Sequence, residues 1–145
     1  MRNLLAFFLL IVSTQVFASE GIVQREIVCL AQNIYHEARG EPIQGQTAVA
    51  MVTMNRVYSG RYPNTVCDVV YQPYQFSWTS SRPNITELKT WRKTLELAAK
   101  VYVNYFRLKD HTKGALFYYA QNQVDPDWAR EKEVTRRIGH HTFLR

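Results

Sequence analysis

"LAQNIYHEARGEPIQGQTAVAMVTMNRV", Leu30 to Val57, decides the architecture, because it holds two helical patterns separated by Gly40-Glu41-Pro42. Upstream, Val23, Ile27, Leu30 and Ile34 keep helical spacing, which predicts a first helix over Ile22 to Ala38. Gly40 and Pro42 stop it. Gln46 to Val57 reads as a second helix, with Ala48, Val49, Val52 and Val57 as its apolar side. The first helix ends on an anomaly. Val23, Leu30 and Glu37 recur every seven residues, which puts them within about 40° of one another around a helix. A carboxylate on the face a helix should bury is either paired or functional, since an unpaired buried charge is costly.

Position sharpens the second alternative. Glu37 lies in the last turn, at the negative end of the helix dipole. Dipole and burial both disfavour the ionised form and raise the pKa, as a general acid working near neutrality requires. Arg39 pushes the other way, and a purely structural Glu37 held by Arg39 or Arg56 fits the same spacing. The His36-Glu37 pair raises the question of a metal. A zinc-protease helix needs His-Glu-x-x-His, and the required second histidine position holds Gly40. His111, His140 and His141 have no ligand spacing either, so neither metal nor cofactor is expected and His36 reads as a bystander.

Working outward, "SGRYPN" (Ser59 to Asn64) is a loop by its Gly and Pro. "TVCDVVY" is a helical turn or an extended piece, and "QFSW" (Gln75 to Trp78) reads as extended. Leu88, Trp91, Leu95, Ala98, Tyr102 and Tyr105 step by three and four, predicting a long helix over Thr86 to Arg107 with these side chains in the core. "ALFYYA" (Ala115 to Ala120) is rich in strand formers, and "EVTRRIG" and "HHTFLR" read as two strands around Gly139. The expected fold class is α+β: a helical body with a small antiparallel sheet.

The 145 residues suit one domain. Residues 1–18 differ in kind: Arg2, an apolar run over Leu4 to Val12, then Val16-Phe17-Ala18 before Ser19. That is the layout of a secretory signal peptide, with an uncleaved anchor as the alternative. The run falls short of the roughly 20 residues a membrane span needs. Removing it takes away Arg2, leaving 17 of the 18 basic residues against 12 acidic ones, a net charge of +5. A basic exported protein approaches polyanions, wall polymers among them. The export signal argues against nucleic acid as the partner. Cys29 and Cys67 are an even pair in an exported chain, which predicts a disulfide. No Gly-x-Ser-x-Gly element and no phosphate loop occurs. A glycan site needs aromatic and amide side chains around an acid. Gln72, Tyr74, Gln75, Phe76, Trp78, Tyr118, Tyr119, Asn122 and Trp128 supply them.

Taken in order, these pieces resemble the bacterial cell wall hydrolases of the spore-cortex-lytic, SleB/CwlJ, type. "LAQNIYHEARGEPIQGQTAVAMVTMNRV", "YPNTVCDVVYQPYQFSW", "GALFYYA", Trp128 and "IGHHTF" carry the likeness across nearly all of residues 19–145. It implies a lysozyme-like α+β catalytic domain related to lytic transglycosylases. It implies cleavage of peptidoglycan between N-acetylmuramic acid and N-acetylglucosamine, with Glu37 as the acid. Arg39, Gln75, Phe76, Tyr118 and His141 are then expected to bind the glycan. Glu41, Asp68 and Asp127 are the candidates should a second carboxylate take part. Three other outcomes stay open: muramidase hydrolysis by water, wall binding without catalysis, and a metal-dependent amidase. Unlike the spore enzymes, this chain carries two cysteines and no additional wall-binding domain beside the matching stretch. That suits a monomer acting in a periplasm or outside the cell, and does not imply sporulation.

Overall fold

The computed structural model describes residues 2–121 and 126–145, with side chains described from Ser19 onward. Asn122, one of the amides expected around the acid, and the side chains of residues 1–18 lie outside the described residues. Helix α1 spans Arg2–Ala38 and ends where Gly40 and Pro42 require. The amide of Glu41 closes the turn by donating to the Ala38 carbonyl at 2.9 Å. Helix α2, Ile43–Tyr58, begins directly after Pro42, three residues earlier than expected.

The apolar side predicted for α2 is only part of what it buries. Every residue from Ala48 to Arg56 is buried, and a helix covered all round sits at the centre of a fold. Ala50, Met51 and Met54 join Leu30, Ala31 and Ile34 of α1 in a helical core. Ala48, Val49 and Val52 join Ala115, Ile138 and Phe143 in a second core beneath the sheet. Tyr118 packs against both cores.

"TVCDVVY" resolves as helix α3, Val66–Val70. Its first turn is capped twice. Thr65 accepts from the Asp68 amide, and the buried Glu26 carboxylate of α1 accepts from the Val66 amide. The Cys29–Cys67 disulfide joins the same two helices. "QFSW" is not extended. Gln75 closes a turn onto Gln72, and Trp78–Ser81 form the short helix α4. Phe76 and Trp78 are both buried, so their spacing mimics a strand, yet the segment pairs with itself rather than with a neighbour.

Helix α5 spans Leu88–Asn104 and tightens into a 3-10 turn over Tyr105–Arg107. Its buried line is Thr94, Leu97, Ala98 and Val101, rotated from the predicted stripe. Trp91, Leu95, Tyr102 and Tyr105 flank the core, and Leu88 is exposed.

The sheet consists of β1 (Phe117–Ala120), β2 (Val134–Ile138) and β3 (His141–Leu144), all antiparallel, in the order β1-β3-β2. Every residue of the central β3 is buried, as its position between two strands and over α2 dictates. Asn55 and Arg56 of α2 fix the approach to β1. Asn55 donates to Asp110 and to the Ala115 carbonyl, both at 3.0 Å. Arg56 donates from Nε to the Leu116 carbonyl at 2.7 Å.

The β2–β3 hairpin is fastened to the α1–α2 turn by Glu41. Its carboxylate accepts the His140 amide and pairs with His140 Nδ1, both at 2.9 Å. Burial alone would raise this carboxyl, but the His140 bonds outweigh it and hold it below the ordinary glutamate value. Gly139, at φ +56°, passes so close that a Cβ there would meet Glu41 Oε2 at 1.8 Å. Gly139→Ala is therefore expected to destabilise the fold by about 2 kcal/mol or more, from left-handed strain and the broken clasp together. Urea unfolding measures it, and an unchanged midpoint would contradict the clasp.

Candidate active site

Four structural elements converge on Glu37. It occupies the last turn of α1 beside His36; α2 contributes Arg56, the turn before α4 contributes Gln75, Phe76 and Ser77, and the sheet contributes Tyr118 and His141. They line a cleft of about 400 Å³. A second cleft of about 470 Å³ meets it at His36 and runs past Trp78 to Arg82. A third, of about 340 Å³, shares Arg56, Gln75 and Tyr118 and runs past Tyr74 and Trp128 to Lys132. Glu37 thus lines the middle of three clefts that adjoin through shared wall residues.

Burial is the main influence on the Glu37 carboxyl and raises its pKa; Tyr118 and the Arg56 charge pull it back without cancelling the rise. Burial prevails in the balance that the sequence left open, and the opposing cation is Arg56, not Arg39. Arg39 turns away: it pairs with Glu87 at 3.0 Å, donates to the Tyr35 carbonyl and lies over the Tyr35 ring. It does not line the cleft, and neither arginine forms an ion pair with Glu37 among the described residues.

The Tyr118 hydroxyl is buried facing Glu37 and Asn33, both of which act on its titration, without a hydrogen bond of full geometry to either. Burial first, and then the Glu37 charge, hold it well above the ordinary tyrosine value, so it stays a donor facing the acid. The His141 ring stands edge-on to Tyr118, with Nδ1 buried and unpartnered. Burial lowers its pKa and favours the neutral ring.

Of the residues expected to bind glycan, the structure brings Gln75, Phe76, Tyr118 and His141 to the cleft, and leaves Arg39 outside it. Glu41 is engaged by His140, Asp68 is exposed in α3, and Asp127 pairs with Arg130. None of these three lines the cleft. Two cleft residues escaped the sequence reading. His36 is part of the wall, stacked on Trp78 at 4.5 Å. Arg56 had a signal of the same kind as Glu37, an ionisable side chain inside an apolar helix, but only its capping role was considered. Among the described residues no three His, Cys, Asp or Glu side chains converge as a metal site.

The domain is a small α+β body with one half-buried acid, Glu37, in its cleft. A family model described as Cell Wall Hydrolase matches residues 40–144, beginning just past Glu37. The chain belongs to this cell wall hydrolase family. It is 32% identical over 125 residues to the spore cortex-lytic enzyme of Bacillus cereus, covering 86% of this chain and 46% of that protein. It is 31% identical over 123 residues to the spore cortex-lytic enzyme of Bacillus subtilis, covering 85% and 38% respectively. The chain therefore spans less than half the length of these relatives. The fold matches the crystal structure of the catalytic domain of the Bacillus cereus SleB protein with a TM-score of 0.67 and 32% identity, covering 84% of this chain and 91% of the other. The catalytic domain of the germination-specific lytic transglycosylase SleB from Bacillus anthracis matches equally, at 0.67 and 32%, over 83% of this chain and 93% of the other.

Proposed function

We propose that this protein cleaves the glycan strand of peptidoglycan between N-acetylmuramic acid and N-acetylglucosamine, as a lytic transglycosylase with Glu37 as its single acid and base. The observation that carries this reading is that Glu37 is the one carboxylate among the described residues lining the cleft. Hydrolysis with two carboxylates needs a partner at a set distance across the scissile bond. Transglycosylation needs none. Protonated Glu37 gives its proton to the glycosidic oxygen, and the C1–O bond breaks. The resulting carboxylate, favoured by Arg56 and Tyr118, takes the proton from the muramoyl C6 hydroxyl. That oxygen bonds to C1 and leaves a 1,6-anhydro end, and Glu37 is protonated again.

The adjoining clefts on either side of Glu37 suit a polymer, and their aromatic walls at Trp78 and Trp128 suit sugar rings. In this reading residues 1–18 act as a signal peptide removed before Ser19. The protein then works as a monomer in the periplasm or outside the cell, where an oxidising setting preserves the Cys29–Cys67 bridge. Among the described residues no helix is long and apolar enough to cross a membrane.

Mass spectrometry of digested peptidoglycan tests the chemistry. Anhydromuramoyl ends are expected. Reducing muramoyl ends would instead establish hydrolysis by water, and free stem peptides an amidase. Binding to the wall without soluble fragments would establish a non-catalytic binder.

A further inference from the structure

Arg56 is an arginine in the centre of the fold, only 5% exposed, in a stretch of α2 that is otherwise uncharged. A buried cation is costly unless its hydrogen bonds and charge are matched. Here they are matched only in part. Nε is satisfied by the Leu116 carbonyl. The guanidinium carbon lies 5.0 Å from the centre of the Tyr62 ring and 5.6 Å from that of Phe76, so both rings pack on the group. Nη1 is buried with no partner, and no carboxylate pairs with the group among the described residues. Holding the Leu116 carbonyl requires one N–H; it does not require an unsatisfied guanidinium edge.

The position of Arg56 shows where the missing acceptor belongs. With Gln75 and Tyr118 it forms the wall common to the cleft of Glu37 and the cleft leading to Trp128. Glu37 does not neutralise it when substrate binds, since a general acid enters its reaction protonated and uncharged. A counter-group can arrive with the ligand, because Arg56 lines both clefts. On the strand named above, one substituent separates a muramoyl ring from a glucosaminyl ring: the lactyl ether on C3. It ends in a carboxylate, or in an amide carbonyl where a stem peptide is attached, and both are strong acceptors for a guanidinium. The N-acetyl carbonyl occurs on both sugars and separates neither. C3 lies two carbons from the anomeric carbon that Glu37 serves, and Glu37 and Arg56 line the same cleft.

We infer that Arg56 is the specificity-determining residue of the cleft, selecting muramoyl over glucosaminyl units by binding an oxygen of the 3-O-lactyl arm at the seam of the two clefts.

This rests on the glycan-cleaving reading, and its test does not depend on cleavage. In the Glu37→Gln background, calorimetry compares a peptide-free tetrasaccharide of alternating N-acetylglucosamine and N-acetylmuramic acid with N-acetylglucosamine tetramer. The muramoyl glycan is expected to bind about tenfold tighter or better, the range of a charge-assisted bond. Adding Arg56→Gln is expected to abolish that ratio by weakening the muramoyl glycan alone. An unchanged ratio, or equal weakening of both glycans, overturns the inference. Should Arg56→Gln fail to fold, the Arg56 side chain is left intact and its Nε–H resonance is followed by NMR in the same background. It is expected to move with N-acetylmuramic acid and to stay in place with N-acetylglucosamine. Movement with both, or with neither, overturns the inference. If Glu37→Gln protein still cleaves the strand, the reading of Glu37 fails, and the resonance comparison with the two monosaccharides, which contain no bond to cleave, still decides Arg56.

Discussion

Glu37→Gln is expected to lower the release of soluble fragments from purified peptidoglycan by about three orders of magnitude, within the range of a lost general acid. The substitution keeps the shape and removes the proton. Its effect on stability has the opposite sign. Glu37 has a folded-state pKa raised above the unfolded value, chiefly by burial. The folded protein therefore holds this proton more tightly than the unfolded chain. The contribution is full below the ordinary glutamate value and is lost as pH rises through the raised one. Above that window the wild type carries a poorly solvated carboxylate that glutamine lacks. The variant is thus expected to melt higher than the wild type at neutral pH and level with it in acid. Activity of the wild type follows the same proton, declining as pH rises through the raised value. Thermal melts at two pH values and a pH profile of fragment release check both. Full lysis by the variant, or a lower melting point at neutral pH, would sink the assignment.

Loss of the Cys29–Cys67 bridge carries the second large effect. The cysteines are 38 residues apart, and closing a loop of that size restricts the unfolded chain by about 4 kcal/mol in the chain-entropy model. The double variant Cys29→Ala, Cys67→Ala is expected to lose much of this, lowering Tm by about 10 °C or more. The consequences are local. α3 is a helix of five residues, too short to persist alone. It is held by the bridge, by the Glu26 and Thr65 caps, and by Val66 and Val70 in the helical core. Cys29 lies about 12 Å along α1 from Glu37, so catalysis well below the new Tm is expected to survive. Calorimetry with and without reductant, with thiols counted, decides the matter. An unchanged Tm in fully reduced protein would exclude the bridge as a stabilising element.

How much of this was legible in the sequence depended on whether the cause was local. The end of α1 could be read because Gly40 and Pro42 stop a helix whatever surrounds it. The strands around Gly139 could be read for the same reason. α2 could be located, but the coverage of its second face could not be foreseen, because that depends on where Ala115, Ile138 and Phe143 return from far along the chain. The same return explains Arg56, whose neighbours Leu116 and Phe76 are contributed by other segments. "QFSW" was misread because two buried aromatics spaced by two satisfy a strand and a tight turn equally. Arg39 is near Glu37 in sequence, but its side chain goes to Glu87 at the start of α5.

The order of the strands has a consequence for when the cleft around Glu37 comes together. β1 and β2 each bond only to β3, which is translated after both. A nascent chain that stops short of His141 has two strands with nothing to pair with, and Tyr118 has no sheet to hold it against Glu37. β3 is therefore the strand that completes the sheet, and a chain cut before His141 is expected to lack the assembled cleft.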